Sequence, residues 1–173
     1  MARLKTDIRP GFSLTGGLLT GGLLAGGLVL CVMLVSLSLP VRAAEQRYRL
    51  TIHDEQQQVA DFTVELVQTA EEMRQGLMFR MSLPRDAGMF FVLGTPRIAK
   101  FWMRNTFIPL DMVFIMPDGR IDSITTRRDT LSEAQSQSKK PVAFVLEINA
   151  GLADELGIKP GHRVVLGAAA ETR

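Results

Sequence analysis

Cysteine is almost absent from this sequence, and its absence excludes several kinds of site. The one cysteine, Cys31, lies in an uncharged segment near the N-terminus. The rest of the chain therefore has no disulfide, no thiolate nucleophile and no cysteine-ligated zinc site. Leu30 precedes Cys31 where a lipoprotein signal requires a small residue, so lipidation there is not predicted. A domain without disulfides must be held together by its hydrophobic core.

Histidine is also scarce. His53 and His162 are the only two, and each lies near the end of a predicted strand. Neither has the spacing to other residues that a Ser-His-Asp triad or a metal site requires, so both are predicted to be surface residues. No metal and no cofactor are predicted.

Most of the chain lacks an excess of positive charge. The first 44 residues hold four basic side chains and one acidic side chain, so their net charge is +3. The net charge of the whole chain is +2. The remainder is therefore close to neutral, at −1. Because a nucleic-acid surface needs clustered basic residues, no nucleic-acid partner is predicted.

The N-terminal segment, residues 1–44, has the pattern of a targeting sequence. Arg3, Lys5 and Arg9 precede an uncharged apolar stretch, and small residues at Ala43 and Ala44 offer a cleavage site. The unbroken apolar part approaches the ~20 residues needed to span a bilayer. The segment is thus either a cleaved signal peptide or a retained transmembrane helix in the inner membrane. Either alternative predicts an exported, periplasmic protein, soluble after cleavage or anchored.

Residues 45–167 are predicted to form a single β domain, followed by a loose tail at 168–173. About eight short alternating or apolar strands are separated by turn residues, with two short helices and no long helical crossover. This pattern predicts a mainly β fold, a compact antiparallel barrel or sandwich. One helix should begin at a capping box in which Thr69 is the N-cap and Glu72 its partner. The Ser- and Gln-rich segment 127–140 is predicted to be a flexible loop.

Two apolar strands each contain one acidic residue. In the stretch 110–116, alternation places Asp111 on one face with Val113 and Ile115, and Leu110, Met112, Phe114 and Met116 on the other. Glu147 interrupts a second apolar strand in the same way. A buried charge without a partner costs several kcal/mol, so donors or cations must lie nearby. Either a structural polar network or a ligand pocket would explain the pattern.

Seven methionines lie within 44 residues, from Met73 to Met116. Clustered thioethers can bind Cu(I), but only Met78 and Met81 are closely spaced and no histidine lies among them. Methionine is also a common filler of irregular cores. Core packing is therefore the preferred interpretation of this cluster.

A series of motifs in fixed order resembles the uncharacterised bacterial and archaeal family called domain of unknown function 192. The motifs are Gly76-Leu77-Met78-Phe79-Arg80, Leu83-Pro84, Gly88-Met89-Phe90-Phe91, Phe101-Trp102-Met103-Arg104-Asn105-Thr106, Pro109-Leu110-Asp111, Val145-Leu146-Glu147 with Ala150-Gly151, and Gly157-Ile158-Lys159-Pro160-Gly161-His162-Arg163-Val164. The similarity spans roughly residues 47–166. It implies a compact, mostly β domain, often exported, without an established activity.

The resemblance also implies that five residues occupy motif positions of the family, although it assigns them no roles. We expect these residues to bind a ligand: Arg80, Trp102, Asn105, Asp111 and Glu147. The leading hypothesis is a non-enzymatic domain that binds a small polar ligand, for example a saccharide, or a protein of the cell envelope. The alternatives are a hydrolase of cell-wall or polysaccharide material that uses both carboxylates, and a membrane-tethered interaction module.

Overall fold

The structure is a computed structural model that describes residues 46–169. The predicted leader, residues 1–44, lies outside the described residues, and so do residues 170–173. Within 46–169, no helix combines the length and the apolar character needed to cross a membrane.

Nine strands and two short helices form the described domain. The strands are β1 (Arg47–His53), β2 (Gln58–Val67), β3 (Ala87–Arg97), β4 (Lys100–Phe101), β5 (Leu110–Ile115), β6 (Ile121–Arg127), β7 (Ser136–Gln137), β8 (Val142–Asn149) and β9 (Arg163–Ala169); the helices are α1 (Ala70–Gln75) and α2 (Leu152–Glu155). The predicted mainly β fold with two short helices is confirmed. The last strand extends to Ala169, two residues into the segment predicted to be a loose tail.

Seven strands form one sheet in the order β6-β5-β8-β3-β2-β1-β9, and β4 pairs with β7 in a separate small sheet. All neighbours in the large sheet are antiparallel except β2 and β3, which are parallel. The sequence predicted an antiparallel arrangement because no long helix was visible. The connection 68–86, which contains α1, is nevertheless long enough for a parallel crossover.

The large sheet does not close into a barrel, so the sandwich-like alternative is the one that fits. Its edge strands β6 and β9 approach each other only near Arg120 and Arg163, which form an isolated bridge. Beyond this bridge the two edges are not joined by a ladder. An open, twisted sheet of this kind must cover both faces with other segments to bury them.

Each face of the sheet has its own hydrophobic core. The first core includes Leu50, Phe62, Phe90, Val113, Leu146, Ile148 and Leu152, and it brings in α2. The second includes Leu77, Met89, Phe91, Met103, Leu110, Met112 and Val145, and it brings in the segment after α1 and the segment around β4. The central strand β5 is buried on both faces, as its two apolar faces predicted.

Local signals in the sequence account for several elements. Thr69 accepts a hydrogen bond from the backbone N–H of Glu72, whose carboxylate accepts one from the N–H of Thr69, so the predicted capping box is confirmed. Gly88 lets β3 approach β8 closely, because a Cβ there would lie 2.9 Å from the carbonyl oxygen of Glu147. Gly88 therefore helps to position the strand that holds Glu147.

Candidate functional site

Asp111 is fully buried and has a complete set of partners. Its carboxylate accepts hydrogen bonds from the hydroxyl of Thr126 at 2.6 Å and from the backbone N–H groups of Gly151 and Ala153 at 2.9 Å each. The last two donors lie at the start of α2, where N–H groups have no partner within the helix. Asp111 thus joins β5, β6 and α2, and its role here is structural.

Glu147 is the other buried acid, and its surroundings are the opposite of those of Asp111. Only 5% of its surface is exposed, and its neighbours across the sheet are Met89 on β3 and Met112 on β5. Among residues 46–169, no group forms a hydrogen bond or ion pair with its carboxyl group. Burial without a partner raises the pKa of Glu147 to about 8, so the carboxyl group is largely neutral at pH 7.

The two acids lie on opposite faces of the sheet. β5 and β8 pair so that Asp111 is opposite Ile148 while Met112 is opposite Glu147. Asp111 consequently points to the same side as Val113, and Glu147 to the same side as Val145. The structure does not bring the two carboxylates into one site, so the geometry required for the paired-carboxylate hydrolase is not present.

Glu147 instead lines a cavity of about 180 Å³ that opens to solvent. The cavity lies between the C-terminal end of α1, the end of β3 and the segment around β4. Besides Glu147, its walls include Met73, Arg74, Gly76, Met78, Phe91, Leu93, Arg97, Lys100, Phe101, Trp102 and Thr106. Trp102 and Glu147 are therefore two predicted site residues that the structure does bring together.

Aromatic rings form one wall of the cavity. Phe91 and Phe101 contact each other edge to face, with ring centroids 5.1 Å apart. Phe101 contacts Phe114 in the same manner at 6.3 Å, which fixes it against the core. Trp102 follows Phe101 and is 42% exposed. The wall thus combines the buried ring of Phe91 and the partly buried ring of Phe101 with one exposed indole.

Three cations belong to the lining and lie on its solvent side. The Arg74 guanidinium is paired with Glu71, and Arg97 donates a hydrogen bond to the carbonyl of Leu93 at 2.6 Å. Lys100 forms no ion pair with any residue in the range 46–169. All three are exposed, so a ligand that enters the cavity passes positive charge before it reaches Glu147.

Arg80 lies outside this cavity. Its guanidinium forms a two-pronged ion pair with the carboxylate of Glu65, with one N–O distance of 2.7 Å, and both side chains are partly buried. Arg80 lines a different, neighbouring cavity together with Tyr48 and Gln68. The predicted contact between Arg80 and a ligand shared with Glu147 is therefore not supported by its position.

Asn105 supports the local backbone beside the cavity. Its φ of 53° lies in the left-handed region, and its carbonyl accepts a hydrogen bond from the N–H of Phe79 at 2.8 Å. Its side-chain amide lies 4.0 Å from the sulfur of Met78, which lines the cavity. Phe79 and Leu131 also have positive φ, although bulky residues rarely adopt it. Strained residues of this kind concentrate at functional sites.

The sequence did not reveal the part played by Arg127. This arginine is buried, and its guanidinium donates hydrogen bonds to the Asp129 carboxylate, the Ala134 carbonyl and the hydroxyls of Ser132 and Ser136. The arginine also holds the pKa of Asp129 well below its usual range. The segment predicted as a flexible loop is therefore held in place from inside.

This ordered segment supports the wall of the cavity. Ser132 accepts a hydrogen bond from the N–H of Met103 at 2.9 Å, and Ser138 exchanges two hydrogen bonds with Ala99. Both contacts lie beside Trp102, so the loop positions the aromatic wall. The only sequence signal for it was Arg127 at the end of a strand, two residues before Asp129.

Most of the methionines pack in the core, which was the preferred interpretation of the methionine cluster in the sequence. Met89, Met103 and Met112 are buried, and Met73 and Met116 pack against the same core, while Met81 is exposed. In the part of the chain that the structure describes, no three His, Cys, Asp or Glu side chains converge to hold a metal ion. His53 and His162 are both partly buried rather than fully exposed.

Comparisons with known proteins agree with the fold and leave the site without an assigned role. A crystal structure of a protein of unknown function from Novosphingobium aromaticivorans DSM 12444 is 40% identical, with a TM-score of 0.67, over 73% of this chain and 89% of that one. A crystal structure from Sinorhizobium meliloti 1021, provisionally described as a transcription regulator, is 40% identical, with a TM-score of 0.66, over 69% and 93%. No curated protein matches the chain significantly. The model of an uncharacterised ACR family, domain of unknown function 192, matches residues 51–166.

Proposed function

The chain belongs to the family called domain of unknown function 192, as its motifs predicted, and we propose that its domain binds a small polar ligand that also has an apolar part. One observation carries this proposal. Glu147 is a buried carboxyl group without a hydrogen-bonding partner among residues 46–169, and it lines an open cavity. A hydrogen bond to a charged or polar group in such a place contributes to binding, so a ligand that bonds to Glu147 would be stabilised in the cavity.

The lining matches the general character of a small-molecule site. Such sites combine apolar and aromatic walls with a few polar groups that orient the ligand. Here Phe91 and Phe101 supply the buried apolar surface, and Trp102 supplies a ring that can stack on the ligand. Glu147 supplies the polar group at the buried end. The strained backbone at Asn105 and Phe79 is consistent with a site whose shape is held rather than adaptable.

The cavity limits the size of the ligand. Its volume of about 180 Å³ is smaller than the roughly 300–1,000 Å³ typical of sites for drug-sized molecules. The ligand is therefore a small molecule, or the terminal group of a larger one. The leader sequence supports a periplasmic setting for this ligand, with the domain either released after cleavage or tethered to the inner membrane.

A binding screen with a built-in reporter tests the proposal. Trp102 is the only tryptophan of the chain, so its fluorescence reports occupation of the cavity directly. Amino acids, sugars, small carboxylates and short peptides would be titrated, and hits verified by thermal shift. We expect Glu147→Gln and Trp102→Ala each to weaken the binding of a hit by about tenfold or more, since each removes a contact worth roughly 1–2 kcal/mol.

Phe107 provides the matched control, because it is as exposed as Trp102 but does not line the cavity. Phe107→Ala should leave affinity within about twofold, well below the tenfold step that corresponds to 1.4 kcal/mol. The proposal fails if no compound binds, or if every compound that binds is insensitive to the changes at both Glu147 and Trp102.

A further inference from the structure

We propose that the ligand is a small dipolar molecule, with a cationic nitrogen at Glu147 and an anionic group held near the rim by Arg97 and Lys100. This inference rests on the proposed binding function and names the chemical class of the ligand. It follows from the order of the charges, because the acid lies at the buried end of the cavity while the bases lie at its exposed side.

The buried end favours a cation. Glu147 has no donor or cation beside it among the residues described, so its ionised form has nothing to compensate for the loss of water. Phe91, Phe101 and Trp102 add three aromatic side chains to the lining of the same cavity. A carboxylate next to aromatic rings is the combination that recognises an ammonium group.

The exposed side favours an anion. The charged groups that line the cavity are Arg74 from α1, Arg97 from β3 and Lys100 from β4, and Glu147 is the only acid among the lining residues. The strands on either side of Glu147 contribute only the thioethers of Met89 and Met112 at its level. Arg74 is already paired with Glu71, so Arg97 and Lys100 remain to bind the ligand's anion.

Proton balance gives this inference a specific signature. When an ammonium group reaches Glu147, it stabilises the carboxylate, and the proton of the carboxyl group passes to the solvent. Below a pH of about 8, where the free site is largely protonated, binding should therefore release up to about one proton for each ligand bound. A ligand that only accepts a hydrogen bond from the neutral carboxyl group would release none.

Isothermal titration calorimetry with a series of ω-amino acids tests the inference. The probes run from 3-aminopropionate to 6-aminohexanoate, so that the separation of the two charges varies by one methylene group at a time. Each is compared at pH 6.5 with its N-acetyl derivative, which keeps only the anion, and with the alkylamine of the same length. Titrations in two buffers of different ionisation enthalpy measure proton release.

We expect one length to bind best, its N-acetyl derivative to bind at least about tenfold more weakly, and close to one proton to be released. Glu147→Gln should abolish the proton release and reduce the preference over the N-acetyl derivative to nearly one. Lys100→Gln should weaken the amino acid but not the alkylamine, whereas Lys139→Gln, an exposed lysine outside the cavity lining, should change neither.

Equal binding of an amino acid and its N-acetyl derivative, or binding without proton release, would overturn the inference, and so would the absence of binding by the whole series. A compound from the wider screen that has no cationic nitrogen but still requires Glu147 and Trp102 would also overturn it. In that case the proposed binding function would stand. A failure of the dipolar-ligand inference can therefore be distinguished from a failure of the binding function itself.

Discussion

At the scale of single residues, two acids in similar apolar strands differ in their hydrogen-bonding partners and in their protonation. Asp111 is stabilised as an anion by one hydroxyl and two backbone donors, and it joins three elements. Glu147 has no such donors among residues 46–169, and burial alone keeps it protonated. An acidic residue in a similar sequence pattern thus stabilises the fold in one place and contributes a polar group to a cavity in the other.

The buried state of Glu147 predicts how stability depends on pH. Its pKa is about 8 in the folded protein against an ordinary value of 4.5, so between these values the folded state keeps a proton that the unfolded state has lost. The free energy of unfolding should therefore fall as pH rises from about 5 to 8, by up to about 1.4 kcal/mol per pH unit from this group. Urea unfolding at several pH values measures it.

Comparison with Glu147→Gln isolates this effect, because the amide cannot ionise. The free energy of unfolding of this variant should not show the fall between pH 5 and 8 that Glu147 causes. Glu133→Gln is the control, because Glu133 is an exposed acid with only a loose contact to Arg104. It should follow the wild-type curve. Wild-type and Glu147→Gln curves that run parallel from pH 5 to 8 would show that Glu147 is not buried as a neutral acid.

At the scale of elements, alternation in the sequence correctly separated the two faces of the central strands. It did not identify the order in segment 127–140, where polar composition suggested flexibility. The difference arises because the order of this loop depends on five hydrogen bonds that Arg127 donates to residues within it. Such a network produces no periodic pattern of apolar residues in the sequence. The loop in turn supports the segment that carries Trp102.

Replacement of Arg127 by alanine tests the dependence of the cavity wall on this loop. Arg127→Ala removes a buried guanidinium and leaves the carbonyl of Ala134 and two hydroxyls without their donor, so we expect a loss of about 2–4 kcal/mol in the free energy of unfolding. The backbone amides of Met103 and Ser138 should also exchange hydrogen faster. Denaturant unfolding and hydrogen-exchange mass spectrometry or NMR measure the two effects.

Arg49→Ala is the matched control for this prediction. Arg49 also forms a two-pronged pair with an aspartate, Asp61, but both side chains are exposed. Exposed pairs contribute about 0–1 kcal/mol, so this variant should remain close to the wild type. Similar small effects for Arg49→Ala and Arg127→Ala would contradict the assigned role of Arg127.

At the scale of the whole molecule, the open sheet separates a structural face from a face with a cavity. Asp111 and α2 belong to the first, and Glu147, α1 and the β4 segment belong to the second. The sequence-based hypothesis of one site shared by both acids fails for this reason. Each strand was correctly predicted to be buried on both sides, but the register between the strands could not be read from either strand alone.

A double-mutant cycle tests this separation. Asp111→Asn should lower the free energy of unfolding by about 2–4 kcal/mol, because the amide keeps only one acceptor oxygen and places its NH2 group against either the Thr126 hydroxyl or the two backbone N–H donors. Glu147→Gln should not destabilise the protein at pH 7. Since the two side chains share no partner, the effects should add to within about 0.5 kcal/mol. A coupling above about 1 kcal/mol would instead indicate a shared network.

The sequence by itself determined the family, through an ordered series of motifs along residues 51–166. It also determined the mainly β class, the capping box at Thr69 and the faces of β5 and β8, because these depend on residues close together in the chain. Trp102 and Glu147, two of the five residues expected to bind a ligand, line one cavity, but their part in a binding site remains a prediction. Only the tertiary structure decided that Asp111 lies on the other face, that β2 and β3 are parallel and that Arg127 orders its loop. These features depend on how strands align with one another, and a shift of one residue in that alignment exchanges the two faces of a strand.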